Sequence, residues 1–112
     1  MIHELRIYHC TPGRLADLSR RFQTRTLKIW ERLGIRPVGF WTSRVGPNNQ
    51  TLYYMLEWKD WNEREHLWHI LNEDAEWKQV KAETEKDGPL IAYVENIMLS
   101  PTSYSPLQSI AP

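Results

Sequence analysis

The chain reads as an α+β domain with the element order β-α-β-β-α-β, and three observations predict it. Strand-like segments open and close the pattern, at Ile2–His9 and Ile91–Leu99. Two long amphipathic stretches, Arg14–Leu33 and Trp61–Lys86, have helical spacing. Between them Val38–Val45 and Leu52–Trp58 flank Gly46-Pro47-Asn48-Asn49-Gln50, a hairpin with a loop. Four strands with two helices on one side leave the other sheet face bare. A bare face needs a partner, and two such faces can enclose a pocket.

In the first strand Leu5 and Ile7 point one way, while Glu4, Arg6 and Tyr8 point the other. The reading places Arg6 and Tyr8 on the bare face. Thr11-Pro12 predicts a helix start, with a hydroxyl cap and proline at the first helical position. Leu15, Leu18, Phe22, Ile29 and Leu33 then form an apolar stripe, and Gly34 predicts a left-handed cap, with Pro37 beyond it. In the third strand Leu52, Tyr54, Leu56 and Trp58 form the more apolar face and are assigned to the core. Tyr53, Met55 and Glu57 fall on the bare face.

Asp60-Trp61-Asn62-Glu63 has capping-box spacing. The helix it starts is interrupted around Asn72-Glu73-Asp74, where Asp74 caps a second segment, and Asp87-Gly88-Pro89 stops that one. The last strand must bury either Asn96 or Glu95. Burying an amide costs less than burying a carboxylate, so Asn96 is turned toward the helices and Glu95 toward the bare face. The domain therefore spans residues 1–99. Residues 100–112 carry no charge, three prolines and four serines, and read as a mobile tail or as an arm laid over a neighbouring subunit.

At 112 residues the chain is one domain with a modest core, which subunit association would enlarge. Fourteen cationic and fourteen anionic side chains balance, so nothing electrostatic suggests nucleic acid as a partner. A single cysteine, Cys10, excludes an internal disulfide and a multi-thiolate zinc site, consistent with a cytoplasmic location. No apolar run is long enough to cross a bilayer and no signal-peptide core is present, so no membrane partner is expected. Six tryptophans point to an aromatic core or an aromatic-lined cavity.

Ile2-His3-Glu4-Leu5-Arg6-Ile7-Tyr8, Gly39-Phe40-Trp41-Thr42 and Tyr54-Met55-Leu56-Glu57-Trp58, in that order, resemble the NIPSNAP family. So do Arg64 with Trp68, Pro89-Leu90 and the tail Leu99-Ser100-Pro101-Thr102 with Ser105-Pro106. The resemblance implies a ferredoxin-like subunit with a four-stranded antiparallel sheet, two such sheets forming a dimeric α/β barrel. Proteins of that architecture include cofactor-free monooxygenases, lactone isomerases, polyketide cyclases, aldoxime dehydratases and haem peroxidases. The resemblance thus carries a fold and a range of activities.

The residues assigned to the bare face supply the candidate chemistry. Arg6 is a fixed fork for a carboxylate or a developing oxyanion. Tyr8, two residues on, orients or protonates it. Glu57, in aromatic surroundings, would move a proton as general base. Trp41 beside Gly39, Tyr53 and Glu95 would line the substrate space. An equally simple reading pairs Arg6 with Glu4, Glu57 or Glu95 to neutralise buried charge, and makes Trp41 ordinary dimer packing.

His66 and His69 share a helix side without a metalloprotease pattern, and nothing in the spacing around His9 favours haem, so neither a metal site nor a cofactor is expected. Cys10 lacks an activating base, and no phosphate loop or nucleophile elbow occurs. The leading expectation is a homodimer that binds a small hydrophobic oxygenated molecule, with cofactor-independent isomerase, cyclase or lyase-type proton chemistry. The alternatives are a non-catalytic interaction or sensing protein with a filled barrel, and a cofactor-free monooxygenase.

Overall fold

The computed structural model describes residues 1–111. The elements are β1 (Ile2–Cys10), α1 (Leu15–Arg21), a π-helical turn (Phe22–Thr26), α2 (Leu27–Leu33), β2 (Arg36–Thr42), β3 (Thr51–Trp58), α3 (Trp61–Glu73), α4 (Ala75–Thr84) and β4 (Ile91–Leu99). The four strands form one antiparallel sheet in the order β2-β3-β1-β4. The helices cover one face. Between them and the sheet lies a core that includes Leu18, Ile29, Trp30, Tyr54, Leu56 and Trp58.

Local chemistry explains most boundaries. Gly34 takes φ +87° and ends α2, as its position predicts. The Asp60 carboxylate accepts from the Glu63 N–H at 2.8 Å, and the Asp74 carboxylate accepts from the Trp77 N–H at 2.9 Å, so both acidic caps hold. Leu52, Tyr54, Leu56 and Trp58 are buried against the helices. Asn96 faces the same way, donating to Glu4 at 3.1 Å. Glu95 faces the open side beside His9.

Three expectations are corrected. Thr11 does not cap α1: its hydroxyl donates to the Pro89 carbonyl, and the helix begins at Leu15. The Gln50 side chain accepts from the Gly13 and Leu15 N–H groups instead, so the β2–β3 loop supplies that end with its acceptor. The strand expected over Val38–Val45 runs from Arg36 to Thr42: it starts earlier, at an edge where proline is tolerated and the register shifts between Pro37 and Gly39, and it ends earlier, where bends begin at Arg44. The single expected helix over 14–33 contains a π turn, in which the Leu27 N–H donates to the Phe22 carbonyl, five residues back.

A fourth correction changes the site. Arg6 and Tyr8 lie on the helix-covered face, and Leu5 and Ile7 on the open one. The rungs Arg6–Tyr54 and Tyr8–Leu52 show it, since directly paired residues share a face. Polarity misleads here because the inner polar groups satisfy one another. Glu4, fully buried, accepts from Arg6, Trp58, Arg64 and Asn96.

Residues 100–111 turn back over the open face of their own sheet, where Ser109 Oγ and the Ile110 N–H each donate to Glu57 at 2.8 Å. Among the described residues, no helix is long and apolar enough to cross a membrane.

Candidate functional site

The candidate site is a cavity of about 390 Å³ between the sheet and the helices. β1 contributes Arg6 and Tyr8, the first helical run Arg21 to Trp30, α3 and α4 Trp68 and Trp77, and β4 the rim at Ala92 and Val94. Ala92 and Val94 are exposed, so the cavity opens at the β4 edge.

Its floor is a directed hydrogen-bond chain. The Arg6 Nε–H donates to Tyr54 Oη at 2.8 Å, and the Tyr54 hydroxyl donates to Tyr8 Oη at 2.7 Å. Arg6 Nη2 also approaches Tyr8 Oη at 3.4 Å. Tyr8 Oη is thus an acceptor twice over, and its own hydrogen is left to donate elsewhere. Burial raises the Tyr54 pKa well above the ordinary tyrosine value, with Tyr8 adding to it, so Tyr54 stays a neutral donor.

Arg6 is held in turn by Glu4, 2.8 Å away, and by the Trp68 ring, 4.4 Å from its guanidinium carbon. Burial alone would lower the Arg6 pKa, but the Tyr54 and Tyr8 oxygens and Glu4 outweigh it and push the value up. Burial likewise works to raise Glu4, but its bonds from Arg64, Asn96 and Arg6 prevail and hold it at about 2. Both groups are therefore charged at neutral pH.

The other predicted residues fall on the opposite face. Trp41, Tyr53, Ile7 and Glu95 form one row across all four strands. Tyr93 stacks on His9 at 4.2 Å, and His9 lies 2.6 Å from Glu95. The space beside Gly39 is filled by Trp41 itself: a Cβ there would meet the indole at 2.8 Å.

Glu57 is buried at one end of this face, with His3 Nε2 at 2.9 Å and the tail on its two oxygens. Burial would raise its pKa, but the bonds from His3, Ile110 and Ser109 bring it below the ordinary value. Glu57 is separated by the sheet from Arg6 and Tyr8 and does not share a site with them. The structure brings together Arg6 and Tyr8 in one place, and Trp41, Tyr53 and Glu95 in another. Sequence reasoning missed Tyr54, Trp68, Trp77 and the Arg21–Trp30 helix face. The one signal available was the gap in the apolar stripe between Phe22 and Ile29, where the π turn lies.

The sheet order and the one-sided helical layer define an α+β protein of ferredoxin-like fold. The NIPSNAP family model matches residues 3–106. The chain belongs to the NIPSNAP family.

Among solved structures, it is similar to an uncharacterized NIPSNAP-like domain protein from Burkholderia xenovorans, with 25% identity, 96% of this chain and 90% of that chain covered, and a TM-score of 0.84. It is also similar to a NIPSNAP family protein with unknown function from Agrobacterium tumefaciens, with 25% identity, 96% and 93% covered, and a TM-score of 0.82. A candidate antibiotic biosynthesis monooxygenase from Nitrosomonas europaea shares the fold, with 9% identity, 90% and 98% covered, and a TM-score of 0.61. Among curated proteins none matches the chain.

Proposed function

We propose that this protein binds a hydrophobic, oxygenated small molecule in the helix-side cavity, with Tyr8 donating a hydrogen bond to its oxygen. The carrying observation is the Arg6–Tyr54–Tyr8 chain, which ends at a Tyr8 hydroxyl that accepts from its partners and keeps its own hydrogen to donate, in a cavity walled by Phe22, Trp30, Trp68 and Trp77. A preorganised donor backed by a buried cation stabilises a developing oxyanion and does not have to reorganise to do so. This arrangement suits isomerase, cyclase or lyase-type chemistry on a substrate bound already as its enolate- or phenolate-like anion, so that the protein holds the charge and does not itself remove the proton.

The lining carries Arg6, Arg21 and Lys81 against one carboxylate, Glu85, so it favours stabilising negative charge over abstracting a proton. The fold shared with the Nitrosomonas protein supports the second reading, cofactor-free oxygenation of an electron-rich phenol. The same donor chain would hold a phenolate there.

The open face supports a second copy of the chain as partner. Trp41, Tyr93, Ile97 and Leu99 are all at least 40% exposed on it. Packing two such faces together makes the dimeric barrel.

The test is titration with 2-naphthol, followed by tryptophan fluorescence and thermal shift. Quenching and a raised melting temperature are expected, both reduced by Tyr8→Phe and by Ala92→Trp, which fills the exposed rim. Binding that survives both substitutions but disappears in Trp41→Ala would move the site to the open face and overturn the proposal.

A further inference from the structure

The cavity has a second polar region, on the π turn. Arg21, Thr26 and Trp30 all line it, and all three are buried, at 5%, 1% and 2% exposure. Each carries a buried polar atom without a protein partner: Arg21 Nε, Thr26 Oγ1 and Trp30 Nε1. Native interiors leave few such groups, because a buried donor or acceptor that nothing answers has lost its hydration without recompense. All three residues follow one helix face and line one cavity, and their unanswered atoms, closed to water as they stand, point to a group that these side chains turn to meet.

The π turn is what aligns them. In an α-helix, residues five apart are about 140° out of line. Widening one turn to five residues returns Arg21 toward the side of Thr26, and Thr26 and Trp30 are four apart, so they share a side already. The same turn directs the Leu27 N–H to the Phe22 carbonyl, four residues before Thr26, the usual acceptor for a helical threonine hydroxyl.

The chemistry of the three atoms selects the ligand. The indole and guanidinium nitrogens are donors only, and a hydroxyl can donate. Arg21 is partly compensated by Glu85 at 3.3 Å, yet burial still draws its pKa below the ordinary arginine value. Lys81 adds a further cation to the lining. The Trp30 and Trp77 rings stand beside this region, Trp77 within 5.2 Å of the Arg21 guanidinium carbon.

We infer that Arg21, Thr26 and Trp30 form a carboxylate subsite, and that the ligand is a planar aromatic acid whose anionic end sits on the π turn. This rests on the helix-side cavity being the binding site, and it adds the charge and shape of the occupant.

The experiment compares three probes on the intact protein by calorimetry: 2-naphthoate, its neutral amide 2-naphthamide, and 2-naphthol. Naphthoate is expected to bind about tenfold or more tighter than the amide, the worth of a hydrogen bond to a charged group. Arg21→Gln is expected to bring that ratio close to one. Thr26→Val, nearly the same shape and free of the unanswered hydroxyl, is expected to keep the fold, raise the urea midpoint and lower the ratio severalfold. It therefore decides the matter should Arg21→Gln fail to fold. Naphthol binding without a preference for naphthoate over the amide overturns the subsite and leaves the cavity reading standing. A preference that Thr26→Val and the Arg21 variant both preserve overturns it as well. Failure of all three probes to bind overturns both.

Discussion

Glu4 is the residue whose removal tests the structure most directly. It is fully buried and accepts five hydrogen bonds of 2.8–3.1 Å, from Arg6, Trp58, Asn96 and twice from Arg64. Glu4→Gln keeps the shape, removes the charge and turns an N–H₂ toward donors. The gap between the ordinary value of 4.5 and about 2 corresponds to about 3 kcal/mol, at about 1.4 kcal/mol per pH unit. Breaking a buried ion pair by removing one partner costs about 3–5 kcal/mol, which agrees.

The folded-state pKa of Glu4 lies below its unfolded value. Its ionised form therefore contributes fully above about pH 4.5, and that contribution fades as the pH falls through about 2. Urea denaturation of both proteins, at one protein concentration, should show a loss of about 3 kcal/mol in the variant at pH 7. The two curves should converge between pH 4.5 and 2, because the difference isolates Glu4 from the other carboxylates. A loss under about 1 kcal/mol at pH 7, or a gap that does not narrow in acid, would refute the buried-network account.

Two further outcomes separate the faces of the sheet. Glu57→Gln should raise amide hydrogen exchange over residues 105–111, because Ser109 and Ile110 lose a charged acceptor, while 2-naphthol affinity stays within about twofold; a large loss of affinity would show that Glu57 does serve the cavity. Ile97→Asp places a charge on an exposed open-face position, so it should leave the subunit folded and shift sedimentation toward the monomer; an unchanged sedimentation coefficient would count against a sheet-to-sheet dimer.

Much of this architecture is legible in order along the chain. Gly34, Asp60 and Asp74 act within a few residues of themselves, through a left-handed φ or a side-chain acceptor, so their roles survive without knowledge of the fold. The alternation of Leu52 to Trp58 places Tyr54 and Trp58 inside for the same reason. The expectation for Arg6 and Tyr8 was reversed because alternation defines two faces without saying which is covered. An apolar Leu5–Ile7 pair ordinarily marks the inside. Here Arg64, Trp58 and Asn96, distant in sequence, make the polar set the better buried one.

Sequence by itself determined the strand and helix order, the break between α3 and α4 and the resemblance that the family match bears out, because these depend on periodicity, caps and local spacing. Tertiary structure decided which side of β1 meets the helices, the separation of Glu57 from Arg6 and Tyr8, and the alignment of Arg21 with Thr26 and Trp30. Each of those depends on where a polar atom far along the chain finds, or fails to find, its partner, and no local pattern encodes that.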